Sequence, residues 1–128
     1  MERAIEILAV IQLTVIGLSH IVHHRAWAEF FIWLRGKGDT GVFGNGLLSL
    51  TAGSLIFSFH QVWSGIPLVV TVFGLLNILK AAICFLFPAR AMRSMQRVSL
   101  ERSREFVAAG AYSLAIAAVV AYGLLRTA

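Results

Sequence analysis

Four apolar stretches, at residues 4–24, 40–60, 66–87 and 107–125, take up most of this chain of 128 residues. Each is close to the ~20 residues that cross a hydrocarbon core of ~30 Å at ~1.5 Å per residue. In lipid such a stretch must satisfy its own backbone groups, which a helix does. The expected fold is an all-α membrane protein: a four-transmembrane-helix bundle forming one domain over residues 1–128. The charged fraction agrees. It is 13%, against about 25% for a soluble domain, and the mean hydropathy is +0.82.

The net charge of +5 is informative through its placement. Four spans put both termini and the 61–65 link on one face, which carries only Arg3 and Arg126. The other face carries Arg25, Arg35, Lys37, Arg90, Arg93, Arg97, Arg102 and Arg104. Short loops are where the positive-inside rule applies. The expected topology has both termini extracytoplasmic and loops 25–39 and 88–106 cytoplasmic, in a bacterial inner (plasma) membrane. Basic residues that flank spans suit anionic lipid headgroups rather than nucleic acid. Ala26-Trp27-Ala28 has the form of a signal-peptidase site. The apolar run before it is too long for a signal peptide, and His23-His24-Arg25 would precede the cut, so this stretch is read as a span. With Cys84 alone, no intrachain disulfide forms.

Between the first two spans, Arg25 to Arg35 is apolar, aromatic and too short to cross. It reads as a short cytoplasmic interfacial helix with Trp27 and Trp33 at headgroup level. Gly36-Lys37-Gly38-Asp39 ends it. Gln61 to Gly65 forces an antiparallel hairpin, with Pro67 in the first turn of the third span and Pro88 closing that span. Residues 89–106 read as a basic surface helix or a partly ordered loop. Gly41, Asn45, Ser49 and Gly53 line one face of the second span. Ala109, Ser113, Ala117 and Ala121 line one face of the fourth. Small faces let helices approach closely in lipid, within one bundle or between subunits.

Polar residues inside the spans are the functional candidates, because they are costly there. His20, His23 and His24 stand at i, i+3 and i+4, one face of a continuous helix. Neutral imidazoles so placed suit a metal, with Glu29 as the nearby acid. The alternative is interfacial hydrogen bonding. His60 belongs to the opposite end of the membrane, which excludes bis-histidine haem ligation with the others. On the third span, Lys80 lies ~10 Å from its cytoplasmic end. Asn77 shares its face, and Asn45 and His20 are expected at similar depth. These four form a candidate ligand- or ion-binding knot. The alternative is that Lys80 snorkels while the asparagines join helices. Glu6 and His60 form a candidate outer-face polar pair, with Arg126 or Tyr122 nearby. No catalytic residue is assigned: there is no triad, phosphate loop or dinucleotide fingerprint. The cofactor is unknown.

The residues Gly17-x-Ser-His20, Trp27, Trp33 and His60-Gln-Val-Trp63…Pro67…Gly74…Lys80…Pro88 resemble the small four-span bacterial inner-membrane proteins of unassigned activity. That resemblance implies topology rather than chemistry. The His20–His24 string is similar to one histidine box of the membrane fatty-acid desaturases, which use about eight histidines; this chain has four. Small four-span multidrug transporters carry a deep acid in the first span, where this chain has Gln12. Membrane glutathione transferases carry an acidic-arginine-asparagine pattern that the second span lacks. Three functions follow as expectations. The first is a non-enzymatic homo-oligomer or an accessory subunit of a membrane complex. The second is a small transporter or proton-coupled channel around Lys80. The third is a metal-dependent enzyme using His20, His23 and His24.

Overall fold

A computed structural model describes residues 1–127, and all of its regular structure among them is helical. Four helices are long and apolar enough to cross a membrane: α1 (Glu2–Val22), α3 (Asp39–Phe59), α4 (Leu68–Leu86) and α6 (Arg104–Arg126). Two shorter ones, α2 (His24–Arg35) and α5 (Pro88–Met95), fill the basic links. Pro67 stands one residue ahead of α4. Pro88 opens α5 rather than closing α4; the chain breaks at Phe87, whose N–H still bonds the Ile83 carbonyl. Residues 96–103 pass through turns. Helix α6 then begins at Arg104, ahead of the expected residue 107, because a helix end exposed to water tolerates the charges that a span interior excludes.

The first stretch is not one continuous helix through residue 24. It breaks at His23, and the His23 N–H closes on the Ser19 carbonyl at 2.8 Å. Side chains hold the break. Trp27 Nε1 donates to Ser19 Oγ at 2.9 Å, and His24 Nδ1 lies 2.9 Å from Ser103 Oγ. Arg35, near the end of α2, sends Nη1 to the carbonyls of Met95 and Gln96 at 3.2 Å and to that of Val98. One cation thus satisfies carbonyls left over at the end of α5.

The long helices pack as two pairs, α1 with α6 and α3 with α4. Glycine sets both crossings. A Cβ on Gly110 would stand 2.5 Å from the Gly17 carbonyl oxygen, and one on Gly53 would stand 2.7 Å from that of Gly74. Of the small face in α3, Gly41, Ser49 and Gly53 are buried and Asn45 is half-buried. In α6 only Ala117 of its small face is buried; Ala109 is exposed, and α1 instead approaches at Gly110. One cluster joins the pairs and a second closes the basic end. Ile5, Ala9, Ile56, Val70, Val120 and Leu124 bring all four long helices together at the end that holds both termini. Val42, Cys84, Ala91 and Met95 tie α3 and α4 to α5 at the basic end, with Phe31 and Leu34 of α2 against them.

Candidate functional site

The most completely built polar site lies at the terminal end. It combines α1, the last residue after α3, the 61–67 link and α4. His60 is fully buried, with Nε2 2.9 Å from Glu6 Oε1 and Nδ1 2.8 Å from Thr71 Oγ1. Thr71 lies one turn into α4, so its hydroxyl meets the returning chain. It donates to the Val62 carbonyl at 2.9 Å and accepts from the Val62 N–H at 3.1 Å. A hydroxyl has one proton and two acceptor sites. That hydroxyl therefore bridges both polar groups of Val62 and His60 Nδ1. On its other side, His60 Nε2 faces the Glu6 carboxyl. Every polar group of the cluster is then matched, as burial demands.

Glu6 is the member that reaches the surface, with 12% of its side chain exposed. It borders a cavity of about 250 Å³ together with Ile66, Pro67, Gly123, Arg126 and Thr127. Arg126 is directed elsewhere, over the Tyr122 ring at 5.7 Å. Arg3 reaches across to the Leu124 carbonyl and Thr127 Oγ1, which ties the two chain ends together. The arrangement ties Glu6 to His60 through one hydrogen bond. The Thr71 hydroxyl is engaged by Val62 and His60.

The three histidines of the expected metal face do not converge. Because the helix breaks at His23, the i, i+3, i+4 register is lost. His20 Nδ1 faces its own Ile16 carbonyl at 2.7 Å, and its ring stacks on Trp27 at 4.2 Å. His24 belongs to α2 and meets Ser103. Among the described residues, no group of three or more His, Cys, Asp or Glu side chains could hold a metal ion. The knot of His20, Asn45, Asn77 and Lys80 is not assembled either. His20 turns toward α2 and α6, where Phe106 stacks on it at 5.7 Å. Asn77 Nδ2 returns to the Phe73 carbonyl at 2.9 Å, and Lys80 is exposed on α4. The reason is the pairing: α1 packs along α6 and α4 along α3, so His20 and Lys80 belong to different pairs.

Sequence reasoning missed Thr71, Ser103 and the capping role of Arg35. Thr71 carried a usable signal, since it stands four residues after Pro67 and so one turn into α4, at the level of His60. Comparison with protein-family models, with curated proteins and with solved structures gave no match.

Proposed function

We propose that this chain is a non-enzymatic integral membrane protein of a bacterial inner membrane that acts through assembly, as a homo-oligomer or as an accessory subunit of a membrane complex. The observation that carries the reading is what the polar side chains do. His60, Glu6 and Thr71 close on one another, His24 on Ser103 and Arg35 on backbone carbonyls, so each is engaged in joining elements. The outward surfaces of the long helices are apolar, with Val15, Leu48, Leu76 and Leu125 exposed. Such a surface suits lipid and other membrane helices.

Both termini lie extracytoplasmically in this reading, and α2 and α5 lie on the cytoplasmic surface. Arg25, Lys37, Arg90, Arg93, Arg97, Arg102 and Arg104 are exposed at the basic end, where they can meet anionic headgroups. The test is the native mass after extraction from its own membrane in mild detergent. A whole multiple of 14.0 kDa supports self-assembly, and excess mass from another protein supports an accessory role. A strict monomer in both detergent and membrane crosslinking overturns the proposal.

A further inference from the structure

Gln12 stands midway along α1, ten residues from either end, or about 15 Å from each. Its side chain is exposed. From that depth a glutamine, shorter than lysine, reaches neither headgroup layer. Several polar side chains within the long helices turn back on their own carbonyls. Thr51 does so at 2.8 Å, Ser54 at 2.6 Å, Asn77 at 2.9 Å and Ser113 at 3.0 Å. Among the described residues the Gln12 amide makes no such bond. An amide left unpaired in hydrocarbon is costly, and polar side chains accordingly join helices there.

We propose that a second copy of this chain docks on the exposed flank of α1, about a two-fold axis that pairs the two Gln12 amides. The inference rests on the assembly reading and names its partner and its seam. An amide is self-complementary: about a two-fold axis, each Nε2–H donates to the other copy's Oε1. Another protein would have to supply an amide or hydroxyl at this same depth, whereas a second copy brings one by symmetry. The flank also suits close packing. Ile11, Val15 and Ile16 beside Gln12 are 57%, 62% and 41% exposed. Their β-branched side chains have little rotamer freedom to lose. No charged residue falls between Glu6 and His20, so two copies meet there without like-charge repulsion. Helix α6 occupies a different face of α1, through Gly17, and leaves this flank open.

The test uses the full chain with Cys84→Ala, which keeps the Cβ that packs over Gly46. Gln12→Cys is oxidised in native membranes with copper phenanthroline, beside Tyr112→Cys on the exposed surface of α6. The expected result is a band at twice 14.0 kDa for Gln12→Cys and none for Tyr112→Cys. In otherwise unaltered protein, Gln12→Leu should weaken the dimer roughly three- to tenfold with unchanged thermal unfolding, and Gln12→Asn should retain more dimer than Gln12→Leu. A dimer that links through Tyr112→Cys and not through Gln12→Cys overturns the seam but leaves assembly standing. A co-purifying second protein without a Gln12→Cys dimer does the same in favour of a heteromeric complex. An unchanged dimer in Gln12→Leu overturns the amide pair, and a strict monomer overturns the seam and the assembly reading together.

Discussion

Thr71 joins more of the terminal site than Glu6 or His60 does, because one hydroxyl serves both polar groups of Val62 and one nitrogen of His60. Thr71→Val keeps the shape and removes this partner from all three, of which the His60 nitrogen is fully buried. An unsatisfied buried group costs about 1–3 kcal/mol, and a loss in that range is expected in thermal unfolding in detergent. Glu6→Gln should cost less, under about 1 kcal/mol, since an amide can still hydrogen-bond His60 Nε2 as donor or acceptor. Equal losses in the two variants would mean that the carboxyl of Glu6, rather than a hydrogen bond an amide can replace, holds the pair. Glu6 and His60 could be placed at one end from the sequence, because depth follows from counting residues along antiparallel spans. Counting from Pro67 puts Thr71 at the same depth, but a threonine in an apolar run carries no mark of which loop it will meet. The histidine string misled for a related reason: a shared face presumes an unbroken helix, and hydropathy does not register a break at His23.

At the scale of the element, the sequence announces helices through apolar length and conceals how they pair. The existence of the four long helices and of α2 was readable in composition and in the Arg25–Arg35 bracket. The pairing of α1 with α6 was not, because it depends on where two glycines face each other across 93 residues of chain. Packing at that crossing is backbone against backbone, so added bulk has nowhere to go. Gly110→Val should separate α1 from α6 and destabilise by about 1–3 kcal/mol or more, the usual range for overpacking. Gly44→Ala makes the natural control. A Cβ at Gly44 meets nothing within 4 Å, so unfolding in detergent should be unchanged or slightly later than in the parent. If Gly110→Val is as stable as Gly44→Ala, the close crossing does not exist in the folded protein. A comparable dependence is expected for Arg35→Met, which frees the carbonyls of Met95, Gln96 and Val98 at once. Protease nicking within residues 96–103 should then begin under conditions that leave the parent intact.

For the whole molecule, the decisive quantity is sidedness. The fold gathers both chain ends and the 60–67 link at one end, through Arg3 with Thr127 and Glu6 with His60, and places α2 and α5 at the other. Seven exposed cations mark that second end. Retaining positive loops on the cytoplasmic side is a property of insertion rather than of folding, so the topology is a prediction about the cell and not about the bundle. Single cysteines in a Cys84→Ala background would measure it. Gln61→Cys and Thr127→Cys should react with a membrane-impermeant maleimide added outside spheroplasts. Lys37→Cys and Ser94→Cys should react only after the membrane is opened. Labelling in the reverse sense would invert the topology while leaving the bundle intact, and would place the Glu6 cavity on the cytoplasmic side. Labelling of Gln61→Cys and Thr127→Cys from opposite sides would be more damaging, because an even number of crossings separates those positions in a four-span chain. Such a result would mean that α4 or α6 does not cross the membrane, and the four-span bundle could not stand.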